Sequence, residues 1–225
     1  MKNFSYYYNI DYFEGINYRN LSERQNKDIL YKKLRNILNF KFTNKSRMLG
    51  NCGFGLFSDY PGILIGTGYL HDINEIKEGV KLGFSLDYTT GVPYIPGSSV
   101  KGVLKSALTN GGADYVEEIL KKRVDTVKLL KDFENEDVFF DAEIECNNQK
   151  IFDFDYVTPH KNGLVNPKPI KFLKIKEGVK FVFRFDLKDS VLSKDEKLKL
   201  FKQIILDLGL GAKTNVGFGK FKENL

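Results

Sequence analysis

Two short stretches of this chain combine glycine, hydroxyl and lysine in the way that phosphate binding requires. The first is Gly209-Leu-Gly-Ala-Lys-Thr-Asn-Val-Gly-Phe-Gly219, in which Gly209, Gly211, Gly217 and Gly219 bracket Lys213, Thr214 and Asn215. Glycine has no Cβ and enters positive φ freely, so such a stretch turns sharply and lets another molecule reach its backbone. Exposed N–H groups, an ammonium and a hydroxyl then make a seat for phosphate. Two familiar nucleotide motifs do not fit. A Walker loop needs Gly before the lysine, and Lys213 follows Ala212. A Rossmann fingerprint needs glycine where Thr214 stands and must run from strand to helix, the reverse of the order here. A helix C-cap followed by a glycine-rich turn accounts for the same residues without a ligand.

The second stretch is Tyr94-Ile-Pro-Gly-Ser-Ser-Val-Lys-Gly-Val-Leu-Lys105. Val100, Val103, Leu104, Ala107 and Leu108 follow helical spacing, so a helix opens here, with Pro96-Gly97 turning the chain into it and Ser98 or Ser99 as its N-cap. The helix start offers N–H groups and the positive end of a dipole, and Lys101 adds a full charge beside them. An anion fits there; a well-capped helix with a solvated lysine fits equally.

Other candidates are weaker. Residues 132–155 hold nine Asp/Glu and a single lysine. A strand from Val138 to Glu145 would put Asp141, Glu143 and Glu145 on one face, a conceivable divalent-cation site but more commonly a solvated or partner-facing strand. His160, in the polar loop around Thr158-Pro-His160, is a candidate general acid/base because the reference pKa of histidine lies near neutrality, although a loop histidine making one hydrogen bond is the simpler reading. With His71 the only other histidine and with Cys52 and Cys146 far apart, no zinc-ligand spacing exists, and no metal or cofactor is expected.

The elements that must carry these residues follow from the rest of the chain. At 225 residues it can bury a substantial core in one domain or two closely packed small ones. No apolar run is long enough to span a bilayer and no signal-peptide core is visible, so no membrane partner is expected. Two distant cysteines suit a reducing cytoplasm. The net charge of +6 is concentrated: residues 1–50 hold ten Lys/Arg and four Asp/Glu, and the remainder balances. A polyanion is the natural partner of that segment, unless it is merely a solvated helix face.

Residues 1–20, rich in Tyr and Phe, read as an irregular arm able to pack on a partner or stack on bases. A helix follows from Ser22, with Gln25 completing a capping box and Leu30, Leu34, Ile37 and Leu38 as its apolar stripe. Residues 43–60 read as loop, and residues 61–68 and 81–87 as short strands. Gly111-Gly112 ends the helix that opens near Ser98, and another is expected over 113–133 with Val116, Ile119, Leu120, Val124 and Val127 inward. Residues 170–175 form a strand, and Val179, Phe181, Phe183, Phe185 and Leu187 alternate with polar residues in a second, joined by a turn at Gly178 that predicts a hairpin. The last helix starts at Ser193 with Glu196 in a capping box, buries Leu198, Phe201, Ile204, Ile205 and Leu208, and ends at Gly209. The mixture predicts an α+β fold of the ferredoxin-like, RNA-recognition-motif-like type: an antiparallel sheet with helices on one face, with insertions and an N-terminal helical extension.

Taken together, the two glycine–lysine stretches resemble those of the repeat-associated mysterious protein (RAMP) superfamily of CRISPR systems. Within it the chain is similar to the sixth-subunit family of type III-B Cmr effector complexes, through Gly211-Ala-Lys-Thr-Asn-Val-Gly217, Thr158-Pro-His160, Pro167-Lys-Pro-Ile-Lys-Phe-Leu173 and Phe139-Phe-Asp-Ala142. The resemblance spans roughly residues 60–222. Charge and composition set apart a basic, Tyr-rich arm and helix over 1–50, outside the resemblance, and the resemblance implies a RAMP-type ferredoxin-like domain over 51–225. It further implies a non-catalytic subunit in antiviral defence that binds CRISPR RNA near the 3′ end of the guide. Its partners would be other Cmr subunits and, in the assembled complex, target RNA. Carried over to this sequence, RNA contact falls to Gly97, Ser98, Ser99, Lys101 and Lys105 at the helix start and to Gly209, Gly211, Lys213, Thr214, Asn215, Gly217 and Gly219 in the loop. Two other readings remain open. A metal-independent CRISPR-RNA processing endoribonuclease of the same superfamily would use His160 or His71, and a filament cap would dock mainly on protein through its acidic 132–155 and basic 168–188 segments.

Overall fold

The computed structural model describes residues 3–21, 24–66, 83–157 and 170–224. Ser22, His71, His160 and residues 158–169 lie outside them, and with them the expected cap on Ser22, the Thr158-Pro-His160 motif and part of the expected strands at 61–68 and 81–87.

The chain opens with helix α1 (Phe4–Asn9), a 3-10 turn (Asp11–Phe13) and helix α2 (Arg24–Asn39). The Tyr-rich segment is therefore ordered structure and not an irregular arm. Phe4, Tyr8 and Tyr12 recur every fourth residue and are buried. The Phe4 ring lies 4.8 Å from Phe40 and from Phe42 and stacks on Phe152 at 5.4 Å. Asn3 caps α1 by accepting from the Ser5 N–H. The Tyr8 hydroxyl accepts from Gly83 N–H at 2.7 Å, and its burial drives the phenol pKa far up, so it stays neutral. In α2 the predicted stripe is inward: Leu30, Leu34 and Ile37 are buried. Asn26 is buried too, its amide bridging the backbone of Asn17 and Asn20.

Strands β1 (Phe42–Asn44), β2 (Cys52–Ser58) and β3 (Tyr94–Ile95) precede helices α3 (Gly97–Leu120) and α4 (Thr126–Asn135). Then come β4 (Val138–Phe139), β5 (Ala142–Gln149), β6 (Phe152–Val157), β7 (Ile170–Ile175), β8 (Lys180–Asp186), helix α5 (Lys194–Leu208), a 3-10 turn (Thr214–Val216) and β9 (Phe221–Lys222). The main sheet is antiparallel in the order β1-β5-β8-β2-β9, with β3 on β5 and β4 on β8; β6 and β7 form a separate two-stranded ladder. This is the expected α+β mixture.

Several local expectations are corrected. Residues 43–60 are not loop but carry β2, a central strand. Gly53 and Gly55 hid its alternation, and a Cβ on Gly53 would overlap the Phe183 carbonyl of the neighbouring strand. The turn at Gly178 exists, but β7 pairs with β6 while β8 pairs with β2 and β5, so no hairpin forms. The turn is tied instead to β2 through Gly178 N–H to the Ser58 carbonyl at 2.8 Å. A reversal signal fixes where a chain turns, not which strand it then meets. Helix α3 is interrupted at Gly112 (φ 66°), as the Gly-Gly pair predicted, yet resumes to Leu120. The expected helix over 113–133 is split by Lys121 in the left-handed region, Asp125 caps α4, and Val127 is exposed. Leu208 is also largely exposed.

The inner face of the sheet is built as the alternation predicted. Phe181, Phe183 and Phe185 of β8 and Leu56 of β2 pack beneath Val100, Leu104 and Leu108 of α3 and Leu200, Phe201, Ile204 and Ile205 of α5. The Ser193–Glu196 capping box opens α5, and Gly209 closes it at φ 76°. One ion pair enters this core. Lys197 is fully buried and its ammonium holds both oxygens of Asp137, at 2.8 and 3.0 Å. Among the described residues no helix is long and apolar enough to cross a membrane.

Candidate nucleic-acid interface

The glycine-rich loop spends most of its backbone donors on its own fold. Leu210 N–H reaches the Gly219 carbonyl, Gly219 N–H the Gly62 carbonyl, and Ala212 N–H the Leu64 carbonyl, at 2.8 to 2.9 Å. Val216, Gly217 and Phe218 donate back to Lys213 and Thr214. A Cβ on Gly209, Gly211 or Gly219 would overlap a carbonyl oxygen of Gly219, Leu64 or Leu210 respectively. Gly209 and Gly219 thus let the two ends of the loop lie against each other, and Gly211 lets the loop lie against the segment that follows β2. Gly217 differs: its φ is +99° but a Cβ would make only an ordinary contact, with Pro61 Cδ at 3.8 Å. The loop's outward offering is its side chains. Lys213 is held in the left-handed region at φ 61°, exposed, at the start of the 3-10 turn; Asn215 is exposed beside it and Thr214 is half-buried.

The second motif departs further from expectation. Helix α3 begins at Gly97, with Pro96 as its N-cap, so neither Ser98 nor Ser99 is the cap. Both lie exposed in the first turn. The cap role falls to a distant side chain: Asp141 Oδ1 accepts from Gly97 N–H at 2.8 Å. A carboxylate of the chain's own thus already sits at the positive end of the helix, where an external anion was expected. A Cβ on Gly97 would overlap the Phe139 carbonyl, so glycine lets the helix start against the sheet. Lys101 lies with its ammonium 5.6 Å from the Phe139 ring centroid, and Lys105 pairs with Glu134.

These two motifs stand at opposite ends of the β2–β8 ladder. The α3 start packs on Phe139, which pairs with Phe185 at one end of β8. The loop joins the chain beyond Ser58, whose N–H bonds the Val179 carbonyl at the other end. Six residues of strand separate them, about 20 Å at ~3.3 Å per residue. An extended ligand is needed to touch both.

The three carboxylates of the acidic strand do not converge on one point. Chain direction breaks at Phe140-Asp141, turning Asp141 back to α3 while Glu143 and Glu145 stay on the open face. Glu143 pairs with Arg47, and Glu145 pairs with Lys180 at 2.6 Å and accepts from Ser46. Among the described residues no group of three metal-ligating side chains occurs.

Sequence reasoning also missed two basic–aromatic surfaces. In the β6–β7 ladder the Lys171 ammonium lies 3.7 Å from the Phe154 ring centroid and 5.9 Å from that of Tyr156, and burial pushes its pKa down. The alternation Phe152-x-Phe154-x-Tyr156 was the available signal. On the open face of the main sheet, Phe57, Lys180 and Arg184 come together only once β2 is recognised as a strand.

The sequence profile of the RAMP superfamily matches residues 59–222. The CRISPR system Cmr subunit Cmr6 of Pyrococcus furiosus is 28% identical over 200 residues, covering 59% of this chain and 58% of that protein. The CRISPR system CMR subunit Cmr6 of Saccharolobus solfataricus is 29% identical over 147 residues, covering 62% and 48%. The chain thus spans about half the length of these curated relatives. A chain in the cryo-EM structure of a type III-B Cmr-beta complex bound to cognate target RNA aligns with a TM-score of 0.55 at 24% identity, over 92% of this chain and 72% of that one. The crystal structure of Cmr6 from P. furiosus aligns with a TM-score of 0.50 at 23% identity, over 77% and 97%. At such identities the likeness is one of fold.

Proposed function

Because the chain belongs to the RAMP superfamily, matched over residues 59–222, we propose that it is a non-catalytic CRISPR-RNA-binding subunit of a type III-B (Cmr) RNA-targeting complex. In this reading it acts in the cytoplasm, in antiviral defence, near the 3′ end of the guide and beside other Cmr subunits. The names of its curated relatives support the complex, and the strand order β9-β2-β8-β5, with α3 and α5 as crossovers, supports the ferredoxin-like core.

The observation that carries the RNA-binding reading is the glycine loop: a backbone hydrogen-bonded to itself and to Gly62 and Leu64 that presents exposed Lys213 and Asn215. Such a site positions phosphate through side chains and reads no base. At the α3 start, Asp141 holds the Gly97 N–H, so the contribution there comes from the Ser98 and Ser99 hydroxyls and the Lys101 ammonium rather than from the helix dipole.

The test is binding of repeat-derived RNA by the chain and by the assembled complex across a salt series. Lys213→Ala and Lys101→Ala are each expected to weaken binding and to lower the salt slope by about one, with the fold intact. Unchanged affinity and slope in both variants refutes the assignment. For the non-catalytic part, incubation with repeat RNA in EDTA is expected to leave it intact; cleavage that disappears in His160→Ala overturns it.

A further inference from the structure

The open face of the sheet carries a groove of about 690 Å³, within the range that accepts a nucleotide-sized ligand. Register determines what lies in it. Gly53, Gly55 and Phe57 of β2 face Arg184, Val182 and Lys180 of β8, and Glu145 of β5 faces Lys180 on the same side. Two glycines on a central strand leave no side chains of their own there. A Cβ on Gly55 would lie 3.0 Å from Lys180 Cε, and one on Gly53 2.9 Å from Arg184 Cδ, so the basic side chains of β8 occupy the space the glycines clear. The wall is the 43–48 segment, which brings exposed Lys45 and Met48 to the rim.

Charge in the groove is unbalanced: Lys45, Lys180 and Arg184 line it against the single carboxylate of Glu145, which Lys180 already holds. Arg184 donates Nη2–H to the Met48 sulfur at 3.1 Å, a weak acceptor, and its Nε is buried with no hydrogen-bond partner. A phosphate oxygen in place of that sulfur would give the Nη2–H a far stronger acceptor. Four residues along β2 from the glycine opposite Arg184, about 13 Å at ~3.3 Å per residue, Phe57 presents a half-buried ring on the same antiparallel sheet face, the geometry on which an unpaired base stacks.

We propose that this groove seats a nucleotide of single-stranded RNA, its base on Phe57 and its phosphate against Arg184 and Lys45. The inference rests on the RNA-binding reading above and locates a contact that neither glycine–lysine motif provides. It also lies on β2 and β8, the strands that join the two motifs, so one strand of RNA crossing the face passes over it.

The test uses the full chain and a fluorescent oligouridylate, read by anisotropy. Phe57→Ala is expected to weaken binding about tenfold. Lys45→Ala, at an exposed position, is expected to lower the salt slope by about one without touching the fold. Arg184→Lys keeps the charge but loses the guanidinium edge and weakens binding as well. Should Phe57→Ala lower the melting temperature, Phe57→Leu and photocrosslinking of thiouridine to the peptide containing Phe57 decide the matter. Parent-like binding in Phe57→Leu and Lys45→Ala, while Lys213→Ala is weakened, overturns the groove but leaves the subunit reading standing. No RNA binding by the parent chain, alone or in the complex, overturns both. Loss of a neighbouring subunit with RNA binding intact assigns the groove to protein and also overturns the proposal.

Discussion

Replacing single glycines of the loop by alanine separates two demands that the sequence presents as one. At Gly219 the new Cβ would overlap the Leu210 carbonyl oxygen, and φ is +74°. Relief requires the loop to lift, which breaks Leu210 N–H to Gly219 O at 2.8 Å and Gly219 N–H to Gly62 O at 2.9 Å. Two hydrogen bonds at about 1 kcal/mol each and backbone strain of about 1–2 kcal/mol give a loss of roughly 3–5 kcal/mol once some packing goes with them. At Gly217 only the strain applies, because the nearest atom, Pro61 Cδ, lies 3.8 Å from the Cβ position. Its cost is about 1–2 kcal/mol. At about 2–4 °C per kcal/mol for a chain of this size, Gly219→Ala is expected to lower the melting temperature by roughly 6–20 °C and Gly217→Ala by roughly 2–8 °C. Thermal and urea unfolding of the two variants against the parent measure this. Equal losses, or a larger one at Gly217, refute the claim that Gly219 is required by close backbone approach.

The buried pair between α5 and the residue before β4 is the second target. Lys197→Met leaves the Asp137 carboxylate buried with its cation gone, and urea unfolding is expected to show a loss of about 3–5 kcal/mol. Adding Asp137→Leu recovers only part, since the Lys188 N–H then loses its acceptor at 3.0 Å; a loss under about 1 kcal/mol in the single variant contradicts the burial argument. Asp141→Ala removes the acceptor of Gly97 N–H and is expected to cost about 1 kcal/mol, yet oligonucleotide affinity should hold or rise because a carboxylate leaves the α3 start; a fall in affinity speaks against that electrostatic account. Burial alone would raise the Asp87 carboxyl, but hydrogen bonds from the Thr89 and Thr90 hydroxyls and N–H groups outweigh it and bring its pKa down to about 2. With an unfolded value of about 3.9, its contribution is present above pH ~4 and lost as pH falls through about 2. The melting-temperature gap between parent and Asp87→Asn should therefore close over that window, and a gap that is constant with pH contradicts it.

What the sequence by itself determined is what depends on neighbours a few residues away. The stripe of α2, the capping box and glycine terminus of α5, the break at Gly111-Gly112 and the alternation through Phe181, Phe183 and Phe185 are all local periodicities or caps, and all were legible. The glycine–lysine motifs were legible as well, as types and spacing. What each residue of those motifs does was not. Gly209, Gly211 and Gly219 answer to carbonyl oxygens brought to them by pairing, two of which belong to Leu64 and Leu210. The cap of α3 is Asp141, forty-four residues from Gly97, so it could not be read from Ser98 or Ser99. Strand β2 was hidden because glycine carries no side chain to show an alternation, and its glycines acquire a purpose only when Arg184 and Lys180 lie across them. Charge sums and turn signals survive folding unchanged, whereas partners more than a helical turn away are chosen by sheet register, and only tertiary structure sets that.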